Sequence, residues 1–196
     1  MSQYEKHGVL GAISIQVKVL ASLLAIMWLV EILDFMLQGA LKQFGIIPRN
    51  LTGLRGLVFA PFLHANFPHL IANSLPFALL AWFVMLRRMR DFVIVSVVVM
   101  LIGGLGTWLS GASNSVHIGA SGLIFGYLGF LMARGFFERS WSAVLLSLIA
   151  GFAYGSALWG VLPGQADISW QGHLFGFIAG VLAAKWLPVQ KKMATE

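Results

Sequence analysis

Six apolar stretches, separated by short polar segments, determine what this chain can fold into. They cover residues 15–37, 69–86, 92–109, 120–133, 141–162 and 170–187. A helix needs about 20 apolar residues to cross about 30 Å of hydrocarbon. Only 10% of the residues are charged and 59% are hydrophobic, whereas soluble domains carry about 25% charged residues. We therefore predict an all-α membrane protein in which six transmembrane helices form one bundle.

The spacing of these stretches predicts one membrane domain with two short flanks. We expect a cytoplasmic N-terminal segment at 1–14, the membrane domain at 15–187 and a cytoplasmic tail at 188–196. The first stretch lacks a small-residue cleavage site, so it is expected to be a retained helix rather than a signal peptide. The mixed segment 38–68 is expected to lie in or against the membrane interface. The chain has no cysteine, which removes disulfides and thiolate chemistry.

Basic residues predict the orientation. Of the 13 Lys and Arg residues, only Lys42, Arg49 and Arg55 fall on the side opposite to the termini. Basic residues favour the cytoplasmic side of a membrane. We therefore expect a multi-pass protein of the cell (inner) membrane with both termini in the cytoplasm. Because these charges are not interleaved with aromatic residues, we expect no nucleic-acid partner. The sequence does not indicate an oligomeric state.

The fourth stretch is short. Residues 120–133 number 14, which as a helix gives about 21 Å, about 9 Å less than the hydrocarbon thickness. With Arg134 at the cytoplasmic face, Ser121 is expected well below the outer surface. The preceding loop would then enter the membrane, where irregular backbone is tolerated only inside protein or around water. This predicts a water-filled pocket with Ser121 at its floor.

Ser121 and His173 are candidates for a nucleophile and its base. Free N–H groups at a helix start can stabilise an oxyanion, although Ser121 could instead be only a helix cap. His173 stands beside Gly172, Gly176 and Gly180, whose spacing favours close helix packing. An ionisable group within a span is costly and often functional, although His173 could also be a packing residue. Together the two residues can form a nucleophile–base pair.

Further polar residues surround this pair. His69 and Asn73, four apart, share one helical face, and both could donate to an oxyanion or merely tie the outer loop to the bundle. His64 lies before the helix and is expected to be structural. His117, four residues before Ser121, is a second candidate base that ranks behind His173.

Two other uses of the polar residues are less favoured. No HExxH sequence occurs, and no carboxylate accompanies His64, His69 and His173, so we expect no metal site. Glu31 and Asp34, near the end of the first stretch, are predicted to be interfacial rather than to form a proton relay.

Three motifs in this order resemble those of the rhomboid family of intramembrane serine proteases. They are Gly119-Ala120-Ser121-Gly122 at the start of the fourth helix, His173 with Gly176 and Gly180 in the sixth, and His64, His69 and Asn73 at the head of the second. The resemblance covers about residues 55–187 and implies a six-helix rhomboid-like bundle.

The resemblance also implies roles. Ser121 would be the nucleophile and His173 the general base, with no aspartate and no cofactor. His69, Asn73 and the Ser121 amide would form the oxyanion hole, and Gly119 would face the active-site floor. The substrates would be transmembrane segments of other membrane proteins, reached through membrane lipid.

Three positions depart from the family pattern. Leu54-Arg55 stands where rhomboids usually have Trp-Arg, Met85 stands near an expected Glu, and Phe125 replaces a Tyr that stacks on the base. Phe125 can still stack but lacks the hydroxyl. These changes affect the expected loop geometry and substrate preference more than the chemistry.

Two other functions remain open at this point. An inactive rhomboid-like protein would use the same fold to bind transmembrane partners, but the presence of both Ser121 and His173 favours an enzyme. A small transporter with a broken fourth helix would also explain a wet pocket. The apparent lack of inverted repeats and of paired intramembrane acids disfavours it.

Overall fold

A computed structural model describes residues 3–164 and 169–187, with side chains from Leu10 onward. Six long helices make up most of the described chain. They are α1 (Gln3–Met36), α2 (Phe67–Arg87), α3 (Met89–Ser110), α4 (Ser121–Glu138), α5 (Trp141–Val161) and α6 (Trp170–Trp186). The predicted all-α architecture is confirmed.

Local sequence explains where several helices begin. Asn66 precedes α2 and its side chain accepts the His69 N–H, while Ser140 and Ser169 cap α5 and α6 in the same way. Such side-chain oxygens replace the missing partners of the first N–H groups. Within α3 the turn Val99–Gly103 is π-helical, and α5 finishes as a 3₁₀ helix over Gly155–Val161.

Four of the helices, α1 over Leu10–Met36, α2, α3 and α5, are long and apolar enough to cross a membrane. The chain is therefore a multi-pass membrane protein by length and composition. The count of six spans and the cytoplasmic position of both termini stay predictions. α1 begins at Gln3, well before the predicted start at residue 15. The predicted tail 188–196 and its two lysines lie outside the described residues, as do residues 165–168 and the first two.

Helix α4 lies at the centre of the bundle. Nine consecutive residues, from Leu123 to Leu131, are buried, so every face of this helix is covered by neighbours. Helix α5, by contrast, buries only Ala143 and Ala150 among its described residues and lies at the periphery. Ser121 is the first residue of α4 and so lies at the mouth of the most enclosed helix.

The predicted length of the fourth helix is wrong. α4 has 18 residues, or about 27 Å, so it is only about 3 Å shorter than the hydrocarbon. The prediction failed because Arg134 does not stop the helix. This side chain is 1% exposed; its Nε donates to Glu138 at 3.0 Å and its Nη1 to the Leu187 carbonyl at 2.7 Å. The depth of Ser121 therefore cannot rest on helix length.

Glycines bring α4 and α6 into direct backbone contact. A β-carbon at Gly176 would overlap the carbonyl oxygen of Gly122, and one at Gly180 would overlap that of Gly126. The predicted close packing by Gly176 and Gly180 is confirmed. It brings the α6 backbone, and with it His173, next to the first turns of α4.

The segment between α1 and α2 folds into short helical turns packed on the bundle. They are the 3₁₀ turns Ala40–Phe44, Leu51–Arg55 and Ala60–Phe62 and the helical turn Gly56–Phe59. Near its start, Ile46 pairs with His117 in an isolated antiparallel bridge, with N···O distances of 3.0 and 2.9 Å. We call residues 38–66 the first connection. It is attached to the loop that leads to Ser121.

Candidate active site

Ser121 follows a backbone turn that requires glycine. Gly119 has φ +116°, a conformation that side chains other than glycine rarely adopt. Its N–H donates to the Ala60 carbonyl at 2.9 Å, which fixes the turn to the first connection. The chain then enters α4 at Ser121, where helical N–H groups lack intrahelical acceptors.

His69 and Asn73 both lie against this turn. A β-carbon on Gly119 would stand 2.9 Å from His69 Cε1, 3.0 Å from His69 Nε2 and 3.5 Å from Asn73 Nδ2. The shared helical face predicted for His69 and Asn73 therefore points to the residues just before Ser121. Gly119 leaves open the space between these two donors and the turn.

Hydrogen bonding indicates which protons His69 and Asn73 present. The Ala65 N–H donates to His69 Nδ1 at 3.4 Å, so the neutral ring carries its proton on Nε2, the nitrogen next to Gly119. Asn73 is 8% exposed, and its Nδ2 has no hydrogen-bond partner in the described part of the chain. Two N–H donors thus converge beside Gly119, one on the partly buried His69 and one on the buried Asn73. A buried donor without a partner is costly unless something binds it.

His64 supports the turn rather than facing the open space. Its Nε2 accepts the Ala120 N–H at 3.4 Å, and its ring stands edge-to-face on His69 with centroids 5.2 Å apart. Burial, and secondly the neighbouring His69, lower the pKa of His64 to about 4. It is therefore neutral near pH 7 and able to accept this hydrogen bond, in line with the predicted structural role.

His173 is held in a defined orientation on α6. Its Nδ1 lies 2.9 Å from the Gly160 carbonyl oxygen; since a carbonyl only accepts, Nδ1 must carry the proton. Phe125 of α4 stacks on the ring, with centroids 4.1 Å apart and planes 9° apart. The stacking predicted for Phe125 is therefore present. Nε2 of the neutral ring is left with a free lone pair.

The residues next to Ser121 and His173 in the chain are themselves neighbours. A β-carbon on Gly122 would lie 3.7 Å from the Gly172 carbonyl oxygen. Ser121 and His173 therefore sit on the facing first turns of two helices in backbone contact.

A cavity of about 50 Å³ opens beside Ser121. A water molecule needs about 10–15 Å³ of such space, so roughly three waters fit. Its polar lining includes Ser121, Thr107 and Ser169, and the π-helical turn of α3 forms another wall. The cavity is therefore large enough to hold water next to Ser121.

His117 is engaged elsewhere. Ser115 Oγ donates to the Ala112 carbonyl at 2.7 Å, so it accepts from His117 Nε2 at 2.9 Å. His117 Nδ1 then accepts from Ser169 Oγ at 2.5 Å, and that oxygen also accepts the Gly172 N–H at 3.2 Å. Both ring nitrogens are used, so His117 clamps the loop to the start of α6. Burial lowers its pKa.

Sequence reasoning missed three backbone groups at this site. The carbonyls of Gly160 and Ala60 and the N–H of Ala65 orient His173, Gly119 and His69 respectively. Every residue carries such groups, so no residue type could have indicated them. Among the side chains of residues 10–164 and 169–187, no three His, Asp or Glu groups lie close enough together to hold a metal ion.

The fold and the site define a class: a multi-pass helical membrane protein with a serine at the mouth of its central helix, beside a stacked histidine and two convergent donors. The sequence profile of the Rhomboid domain matches residues 52–189. The chain belongs to the rhomboid family.

Three individual proteins are similar to this chain, and two of them have rhomboid in their names. An uncharacterized protein of Mycobacterium tuberculosis (strain ATCC 25618 / H37Rv) is 43% identical over 178 residues, which cover 87% of this chain and 74% of that protein. The Bacillus subtilis (strain 168) protein named "Putative rhomboid protease YdcA" is 33% identical over 143 residues, covering 69% and 68%. RHOMBOID-like protein 1 of Arabidopsis thaliana is 32% identical over 129 residues, covering 62% and 31%.

Proposed function

We propose that this protein is an intramembrane serine endopeptidase that cleaves transmembrane segments with a Ser121–His173 dyad. The observation that carries the proposal is the convergence of His69 and Asn73 on Gly119, two residues before Ser121. A buried amide donor without a partner is a cost to the fold that a role in binding an oxyanion explains. Membership in the rhomboid family supports the same chemistry.

In the proposed reaction His173 acts as the base. Gly160 keeps the proton on Nδ1, so Nε2 takes the proton of Ser121 as its oxygen attacks the substrate carbonyl. The Gly160 carbonyl and the face of the Phe125 ring both stabilise the imidazolium that results. Nε2 then returns the proton to the leaving amine, and a water molecule deacylates the serine by the same steps.

The oxyanion that forms on the substrate would be bound at the turn before α4. His69 Nε2–H, the Asn73 amide and the Ser121 N–H are its proposed donors. They are preorganised, since α2 fixes the two side chains and the Ala60 carbonyl fixes the turn. Donors held in place before reaction cost no reorganisation in the transition state.

The proposed substrate enters from the lipid. The site lies among helices that are apolar enough to span a membrane, and α5 buries little of its surface in the bundle. A transmembrane segment would unwind near its outer end to present an extended peptide bond to Ser121. We further propose a cell-membrane location with both termini in the cytoplasm.

A fluorophosphonate probe tests the nucleophile. The wild-type protein, purified in detergent, should be labelled, and Ser121→Ala and His173→Ala should lose the label. Ser142→Ala, at an exposed serine near the start of α5, is the matched control and should label normally. A labelled Ser121→Ala variant, or an unlabelled wild type, contradicts the proposal.

Cleavage of a membrane substrate tests the activity itself. The protein is reconstituted in vesicles with a single-span fusion protein, and the products are identified by mass spectrometry. A cut near the outer end of the span that needs both Ser121 and His173 supports the proposal. Unlabelled wild type that still binds the span would instead indicate an inactive rhomboid-like binding protein.

A further inference from the structure

A chain of polar contacts runs from the end of α1 to the proposed oxyanion donors. Asp34 Oδ1 accepts the Leu41 N–H at 2.7 Å, and its Oδ2 lies 3.7 Å from Lys42 Nζ. Lys42 Nζ donates to the Ala65 carbonyl at 2.7 Å. The Ala65 N–H in turn donates to His69 Nδ1. Thus a single residue, Ala65, connects Lys42 to His69 in this chain of contacts.

We propose that Lys42, held by Asp34, is a positioning residue that fixes the tautomer and orientation of His69 through Ala65. This inference rests on the proposed function, since it assigns Lys42 a part in that reaction. Lys42 does not touch the substrate, so it acts only through the backbone of the first connection.

The acidic partner of Lys42, Asp34, is buried, as is the nearby acidic residue Glu31 on the same helix. We predicted that Glu31 and Asp34 are interfacial; in addition, both are buried by protein, at 4% and 2% exposure. Glu31 Oε2 has no hydrogen-bond partner among the described residues. The buried Asp34 carboxyl group thus keeps the half-exposed ammonium group of Lys42 in place, and a hydrogen bond from a charged donor is stronger than a neutral one.

The tautomer of His69 decides whether it can stabilise an oxyanion. While the Ala65 N–H occupies Nδ1, the neutral ring must carry its proton on Nε2, next to Gly119. If Ala65 turns away, Nδ1 can take the proton and Nε2 then presents a lone pair to the developing negative charge. A lone pair repels that charge, so the loss is larger than that of a missing donor.

The first test observes the tautomer directly. The chain has five histidines, so imidazole nitrogen-15 spectra of histidine-labelled protein in detergent are simple, and His69→Gln identifies the His69 signals. We expect the Nε2–H form in wild type and a mixture of tautomers in Lys42→Met. Lys42→Arg keeps a donor for the Ala65 carbonyl and should retain the wild-type form. Lys185→Met, at an exposed site on α6, should change nothing.

The second test measures the energetic coupling between Lys42 and His69. Lys42→Met should lower kcat about tenfold with little change in KM, because only the transition state carries the oxyanion. In a His69→Gln background the same substitution should change kcat less than about twofold, since residues acting through one another are not additive.

The outcomes separate this inference from the proposed function. An unchanged His69 tautomer in folded Lys42→Met overturns the inference whether or not the protein is a protease. Equal losses of kcat in both backgrounds also overturn it, since Lys42 would then act independently of His69. If Ser121 is not the nucleophile, the proposed function fails. The nitrogen-15 spectra still show whether Lys42 fixes the tautomer of His69.

Discussion

Phe125 lies flat on His173, with ring centroids 4.1 Å apart and planes only 9° from parallel. Such a stacked pair contributes about 1 kcal/mol of stabilisation in addition to that from burying its apolar surface. Phe125→Leu should therefore lower kcat about fivefold by letting the imidazole rotate, whereas Phe125→Tyr should keep the activity. Steady-state cleavage rates check this. Equal rates for the leucine and tyrosine variants would remove the stack from the mechanism.

Gly119 should not tolerate a side chain. Gly119→Ala places a methyl group 2.9 Å from His69 Cε1 at φ +116°, so both strain and overlap displace His69. We expect cleavage to fall at least about a hundredfold, as for loss of an oxyanion donor, with helix content unchanged by circular dichroism. Gly155→Ala is the control, because a β-carbon there meets nothing within 4 Å. Normal cleavage by Gly119→Ala would contradict the assigned geometry.

Asn73→Ala separates activity from stability. Its Nδ2 has no partner in the described part of the chain, so removing the amide breaks no hydrogen bond of that atom. The melting temperature should shift little, while kcat should fall about a hundredfold. Thermal unfolding and cleavage rates of the same preparation check this. A large loss of melting temperature with normal kcat would show a structural role alone.

Gly180 should be more sensitive to substitution than glycines at the periphery. Gly180→Ala drives a methyl group into the Gly126 carbonyl oxygen, which pushes α6 away from α4. Overpacking of this kind destabilises by about 1–3 kcal/mol. Gly151→Ala serves for comparison, since its nearest contact would be Met132 Cε at 3.9 Å. If both variants melt at the same temperature, the helices do not need this contact.

His64 should make stability depend on pH. Its folded pKa of about 4 lies below the ordinary histidine value of 6.5, so between these values the unfolded chain binds more protons than the folded one. The contribution of His64 to the free energy of unfolding is therefore complete above about pH 6.5. It falls by roughly 3 kcal/mol as the pH drops toward 4.

His64→Gln keeps an acceptor for the Ala120 N–H but does not titrate. Its melting temperature should change less than that of wild type between pH 6.5 and 4. The difference between the two curves isolates His64 from His117, whose pKa is lowered as well. Parallel curves for the two proteins would show that His64 does not titrate in this range.

The sequence predicts the helices and the proposed catalytic groups because both depend on local patterns. Hydrophobic stretches set the bounds of the helices within a few residues, except at the start of α1 and the end of α4. The spacing of Gly176 and Gly180 indicated that α6 packs closely against another helix. His69 and Asn73 could be placed together because four residues make about one helical turn.

Contacts between distant segments could not be read in this way. Arg134 looked like a cytoplasmic end because a lone arginine after an apolar stretch usually lies in water. Its burial depends on Glu138 and on the carbonyls of Ala184 and Leu187, which only the packed bundle brings together. Lys42 was used only to predict the orientation for a similar reason, since its partners are Asp34 and the backbone of Ala65.

The position of His173 on α6, which follows α4 in the chain, has a consequence for biosynthesis. A chain made from its N-terminus inserts Ser121 with α4 while Gly160 and α6 have yet to be synthesised. Under the proposed mechanism the growing chain therefore holds a serine without a base. Under that mechanism the protein becomes competent to cleave only when α6 docks on α4 through Gly176 and Gly180, so the synthesis and docking of α6 are themselves the activating step.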